Sequence, residues 1–123
     1  MKVNRIMHAS FNVTGSLPEA DRFYRDVLGL HPAARPEIPG VAGTWFAAGE
    51  GQVHLVDAPR ADSGIDPTGP HFCLGVDDLD AAVAELHTRG IETFAVTTDG
   101  VRQVWCCDPA GNTLEFQEDR PLP

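Results

Sequence analysis

The sequence is short of three things, and each shortage narrows what the chain can do. Basic residues are the first: 9 Lys and Arg stand against 18 Asp and Glu, for a net charge of −9. Nucleic acid and anionic membrane surfaces repel such a chain, so neither is expected as a partner. Long apolar runs are the second. None approaches the roughly 18–20 residues that a membrane span needs. The start, MKVNRIMHAS, has no apolar signal core, so a cytoplasmic location is the expectation. Cysteine is the third. Cys106 and Cys107 are adjacent, Cys73 stands alone, and no CxxC pair exists, so neither a disulfide framework nor a thiolate zinc site is expected. The thiols read as reduced, buried and inert. What is left is an ordinary globular composition, 42% hydrophobic and 22% charged, in 123 residues, enough for one domain with a real core.

The most informative stretch is Val101–Glu118, VRQVWCCDPAGNTLEFQE. Two β-prone runs, Val101–Cys107 and Thr113–Gln117, flank Asp108-Pro109-Ala110-Gly111-Asn112, a loop whose Pro and Gly signal a hairpin. Leu114 and Phe116 alternate with Thr113, Glu115 and Gln117, so one strand face is apolar and the other polar with a carboxylate at its centre. A buried Glu there needs a partner or a job.

Residues 4–13 also alternate, with Met7, Ala9, Phe11 and Val13 on one side and Ile6, His8, Ser10 and Asn12 on the other. Ser16-Leu17-Pro18-Glu19 reads as a capping box opening a helix that carries Leu17, Ala20, Phe23, Tyr24, Val27 and Leu28 on its apolar stripe and closes at Gly29. Prolines 32, 36 and 39 mark an edge strand or loop. Thr44–Ala48 and Gln52–Val56 form a second hairpin about Gly49-Glu50-Gly51, and Ala58–Gly69 reads as a linker.

The pattern then restarts. Pro70–Val76 is a strand, Asp77 or Asp78 caps a helix bearing Leu79, Ala82, Val83 and Leu86, Gly90 closes it, and Ile91–Val96 leads to the final hairpin. The order is β-α-β-β-β twice, over about 4–58 and 69–118, an internal repeat of roughly 62 residues that predicts a pseudo-twofold domain.

The repeat gives separate polar residues a common meaning. Each copy has a His on its first strand, His8 and His71, and a potential ligand on its last, His54 and Glu115. Three imidazoles and a carboxylate suit a divalent metal such as Zn, Ni, Fe, Mn or Co, and a metal would neutralise Glu115. Alternation puts Ser10 on the face of His8, Gln52 and Val56 beside His54, and Cys73 beside His71. Symmetric pairing about the five-residue loop sets Cys107 opposite Thr113, Trp105 opposite Glu115 and Gln103 opposite Gln117, with Arg102 on the other face. Trp105 then walls the site. Ser10, Gln52, Gln103 and Trp105 are the expected substrate contacts, whereas His31 and His87 fall outside the pattern and read as surface residues.

His8-Ala9-Ser10, FYRDVLGL (23–30), HFCLGVDDLDAAVAEL (71–86) and DPAGNTLEF (108–116) together resemble the vicinal oxygen chelate superfamily, which holds glyoxalase I, fosfomycin-resistance enzymes, methylmalonyl-CoA epimerase, extradiol dioxygenases and bleomycin-resistance proteins. The resemblance covers about residues 4–118. It implies an α+β fold in which paired βαβββ modules form a curved mixed sheet of eight strands around a cleft, with helices outside. It further implies a homodimer and metal ligation by His8, His71 and Glu115. His54 matches a position where glyoxalase I has Glu and the epimerase has Gln, so the base expected there is replaced by imidazole. The function implied is a glyoxalase-like lyase, isomerase or dioxygenase acting on a small oxygen-rich substrate chelated to a divalent metal. The alternative is a non-catalytic, drug-sequestering protein of the bleomycin-resistance kind.

Overall fold

The computed structural model describes residues 2, 4–59, 64–67, 70–98 and 100–121. The chain folds as two compact units, Met1–Ala61 and Asp62–Pro123. Half of the linker expected over Ala58–Gly69, residues 60–63, 68 and 69, lies outside the described residues.

In the first unit, β1 (His8–Asn12) pairs in parallel with β4 (Gly51–Val56), β4 pairs antiparallel with β3 (Gly43–Ala48), and β3 antiparallel with β2 (His31–Ala33), giving the order β1-β4-β3-β2. Pro32 sits in the edge strand β2, where its missing N–H costs nothing. One sheet face carries Phe46, Val53 and Leu55, which pack with Ala20, Phe23 and Tyr24 of the helix into the buried core. Tyr24 stacks on Phe46 with centroids 6.0 Å apart.

That helix, α1 (Leu17–Arg22), runs on as a single π-helical turn over Phe23–Val27, in which the Leu28 N–H donates to the Phe23 carbonyl five residues back. It stops where Gly29 enters the left-handed region at φ 68° and the Leu30 N–H bonds the Tyr24 carbonyl. The expected capping box does not form. Ser16, at ψ 19° rather than extended, turns its hydroxyl back to donate to the Thr14 carbonyl at 3.4 Å.

The second unit repeats the plan. β5 (His71–Val76) pairs in parallel with β8 (Thr113–Glu118), and β8, β7 (Val101–Cys107) and β6 (Phe94–Thr98) follow antiparallel, in the order β5-β8-β7-β6. Asp78, not Asp77, caps α2 (Leu79–Thr88), its carboxylate accepting from the Ala81 N–H at 2.9 Å. Leu79 and Leu86 meet Val104, Cys106, Leu114 and Phe116 in the core. Arg102 projects to this same helical side and pairs with Asp80, as the alternation requires.

The strand expected from Ile91 begins only at Phe94, because helix closure takes the preceding backbone. With Gly90 at φ 74°, the N–H of Ile91 bonds the Leu86 carbonyl at 2.9 Å. In the 108–112 loop the Asp108 carboxylate accepts from the Asn112 N–H (2.8 Å) and from its side-chain amide (2.9 Å). This closes the hairpin in the register expected: Cys107 opposite Thr113 and Trp105 opposite Glu115. Among the described residues no helix is long and apolar enough to cross a membrane. Of the three free thiols only Cys106 is fully buried, and burial pushes it up to about 12; Cys107 is half-buried and Cys73 exposed.

Candidate functional site

Both units direct their helix to one sheet face and their polar stripe to the other. Sheet alternation explains this, since every second residue of each strand must leave the core.

In the first unit the polar face collects His8 and Ser10 from β1, Gln52 and His54 from β4, and Trp45 from β3. The register sets His8 beside Gln52, Ser10 beside His54, and Trp45 opposite His54. The His54 ring is buried in a three-ring stack. Trp45 lies 3.8 Å from it at 5°, and His8 lies 4.1 Å from it at 19°. His54 Nε2 is 2.8 Å from Gln52 Oε1. With an amide oxygen as acceptor, Nε2 carries the proton and Nδ1 the lone pair. Burial, then the neighbouring His8 and Arg35, lower the pKa of His54 from its ordinary value and favour the neutral ring.

In the second unit the carboxylate of Glu115, only 5% exposed, is surrounded by donors. Its Oε1 accepts from the side-chain amides of Gln103 (2.9 Å) and Gln117 (3.2 Å), while Oε2 lies 3.2 Å from His71 Nε2. Cys73, paired with Glu115 across β5 and β8, completes the cluster. Burial first, and then the Glu115 charge and a hydrogen bond to it, push its thiol up to about 11. Trp105 stands directly opposite Glu115, 5% exposed and with Phe94 at a centroid distance of 6.0 Å. Its Nε1–H is buried and has no hydrogen-bond partner among the described residues. A buried donor left this way costs about 1–3 kcal/mol, which an acceptor on a bound molecule would recover.

The second-unit pair fits a metal ion. Two ligands about 2.0–2.2 Å from a common metal, at tetrahedral to right angles, lie roughly 3.0–3.5 Å apart, and His71 and Glu115 are separated by 3.2 Å. The first-unit pair is arranged differently. Stacked at 19°, the lone pairs of His8 and His54 lie in nearly parallel planes instead of converging. Among the described residues no three His, Cys, Asp or Glu side chains converge as a metal-binding group. The structure thus brings the expected ligands together as two pairs, His8 with His54 and His71 with Glu115. It joins Gln52 to the first and Gln103 to the second, with Ser10 and Trp105 on the corresponding faces.

Two further side chains belong to these faces and were not singled out as site residues from the sequence. Trp45 opposes His54 as Trp105 opposes Glu115, a correspondence that the register of the first hairpin contains. Gln117 completes the amide grip on Glu115.

These elements define a glyoxalase-type fold, and comparison with known proteins agrees. The chain belongs to the Glyoxalase/Bleomycin resistance protein/Dioxygenase superfamily, whose sequence profile matches residues 5–116. It is 30% identical over 118 residues to "Glyoxylase I 4" of Arabidopsis thaliana, covering 88% of this chain and 67% of that one. It is also 30% identical over 106 residues to the mitochondrial methylmalonyl-CoA epimerase of Mus musculus, covering 76% of this chain but only 58% of the relative's length. A crystal structure of a protein from Bacillus anthracis, described as of the glyoxalase family, matches with a TM-score of 0.84 at 25% identity over 98% of both chains.

Proposed function

We propose that this chain is a small divalent-metal-dependent enzyme of the glyoxalase-like lyase or isomerase kind, acting on a small molecule rich in oxygen. The observation that carries the reading is the carboxylate of Glu115, buried beside His71 at ligand spacing and gripped by two amides on its other oxygen. A buried carboxylate needs a counter-charge, and neutral Gln103 and Gln117 supply orientation without one. His71 and Glu115 would hold the metal. In the first unit the ring stack would hold His8 in orientation against His54.

A bound divalent metal supplies Lewis-acid polarisation of substrate oxygens and stabilises the negative charge that develops on them. The chain's own residues do the rest. Trp105 excludes water from the Glu115 face, and its indole N–H, which has no partner among the described residues, would donate to a substrate oxygen. His54, neutral and protonated on Nε2, keeps an acceptor at Nδ1. The curated relatives, a glyoxylase I and an epimerase, support proton transfer next to a carbonyl as the reaction class.

A homodimer is part of the same reading. Ile6, Met7, Ile38, Val41, Phe94 and Val96 are large exposed apolar side chains, and edge strand β6 is exposed throughout. Sedimentation should give twice the 13.3 kDa of the chain.

The test is turnover by Zn-, Ni-, Fe-, Mn- and Co-loaded protein. Candidate substrates are the glutathione hemithioacetal of methylglyoxal, methylmalonyl-CoA in deuterated water, and catechols. Metal-dependent product or deuterium uptake is the expected result. Catechol cleavage alone would move the protein to the dioxygenases, and saturable binding with no turnover of any of them would make it a sequestering protein.

A further inference from the structure

The first unit holds a cation that the reading above does not use. Arg35 follows β2, and its Nη2 donates to the Val41 carbonyl at 2.9 Å. The guanidinium lies against the backbone of Gly43. A Cβ there would stand 3.1 and 3.2 Å from Nε and Nη2 and would also collide with the Leu55 carbonyl oxygen. Strand alternation puts Gly43 on the same face as Trp45, the face of His54 and His8, with Thr44 and Phe46 on the other. The Arg35 charge is close enough to contribute to lowering the His54 pKa.

Arg35 has no acidic partner among the described residues. The ion pairs there are Arg22 with Glu19, Arg25 with Asp21, His71 with Glu115, Arg89 with Glu85 and Arg102 with Asp80. Arg5 and Arg120 are likewise outside these ion pairs, but their side chains are exposed and bond the Glu50 carbonyl and Gln117, whereas Arg35 lies against the Gly43 backbone. Its Nε–H is buried and likewise has no hydrogen-bond partner among the described residues. Anchoring the 35–41 loop accounts for Nη2 and leaves Nε unexplained. A planar guanidinium, pre-set by backbone contacts and carrying an unused donor, is a receptor for an oxyanion.

We infer that Arg35 binds an anionic oxygen group, a carboxylate in the first instance, of the small molecule taken up on the Trp45–His54 face. The net negative charge of the protein sharpens the point. An acidic chain repels anions at long range, so an anionic ligand needs a fixed local cation to be held at all. This inference rests on the reading of that face as ligand-binding, and it is independent of whether a metal is held.

The test uses metal-free protein, so that its failure and the failure of the metal reading are separate results. Benzoate and its neutral isostere benzamide are titrated while the Arg35 Nε–H resonance is followed by ¹H–¹⁵N NMR. The expected result is a saturable shift of that resonance with benzoate and none with benzamide. Arg35→Met should weaken benzoate binding at least about 10-fold, and Arg35→Lys, which keeps the charge, should weaken it less. Circular dichroism establishes that each variant is folded, and the wild-type resonance answers the question even where a variant is not. Equal binding of benzamide, benzoate binding unchanged in Arg35→Met, or a wild-type resonance that does not respond to benzoate would overturn the inference.

Discussion

His71 Nε2 and Glu115 Oε2 lie 3.2 Å apart across the parallel pair β5 and β8, on side chains 25% and 6% exposed. The two residues are 44 positions apart in the chain, and the parallel pairing of the first and last strands of one module brings them together. The other Glu115 oxygen is committed to Gln103 and Gln117. The carboxylate therefore has one oxygen fixed by the protein and one turned to the imidazole, a division of labour that suits a metal ligand with oriented support.

Losing that support should weaken metal binding without unfolding the protein. Gln103→Leu and Gln117→Leu are each expected to lower Zn²⁺ affinity about 10–100-fold by competition with a fluorescent chelator. Their melting temperatures should stay close to wild type in the metal-free state. Unchanged affinity in both would show that the amides do not position Glu115.

Trp105→Phe keeps the ring that walls the Glu115 face and deletes a buried donor that has no partner among the described residues. Urea unfolding should show stability unchanged, or raised by up to about 1 kcal/mol. Affinity for the substrate identified by turnover should fall in the same variant. Unchanged substrate affinity in this variant would contradict a role for the N–H as a donor to the ligand.

Cys73 is exposed yet should be slow to label. Its thiol is pushed up to about 11 by burial of its sulfur and then by Glu115. At pH 8 a rise of two units from an ordinary 9.0 cuts the thiolate fraction about 100-fold. Because a more basic thiolate is also the stronger nucleophile, a disulfide exchange reagent should react with Cys73 about 10-fold more slowly than with a free thiol, and faster in Glu115→Gln. Reaction at the free-thiol rate would contradict this electrostatic picture.

His54 gives the metal-free protein an acid-side instability. Burial, His8 and Arg35 lower its pKa in the folded state from the ordinary 6.5. The unfolded chain therefore binds the proton more readily. The stability contribution is complete above about pH 6.5 and is lost as pH falls toward the lower folded value. Urea titrations between about pH 7.5 and 5 should show this decline, and His54→Gln should lose it. An equal slope in both proteins would place the titration elsewhere.

Much of this arrangement was legible in the sequence because strand alternation and turn chemistry are local. The Asp108–Asn112 loop sets the register of its hairpin, so symmetric pairing about it puts Trp105 opposite Glu115, as the structure has it. The two βαβββ modules followed from the Gly caps and apolar stripes. What was not legible depends on side-chain geometry between strands. Nothing in HASFN or GQVHLV says that His8 and His54 stack rather than converge, or that Trp45 covers the other side of the ring. Ser16 read as a cap because its residue type is right, but its backbone angle turned the hydroxyl away. Arg35 lies in a proline-flanked segment with no periodic pattern to mark it. Its meaning lies in the missing side chain of Gly43, eight residues later on the next strand.

The central claim is that His71 and Glu115 hold a divalent metal. Its most direct test is metal content by plasma mass spectrometry after dialysis against Zn²⁺, on protein made without a histidine tag, for wild type, His71→Ala and Glu115→Gln. About one equivalent per chain in wild type, lost in both folded variants, is the predicted result. A wild type that retains no metal, or variants that retain as much as wild type, would contradict it.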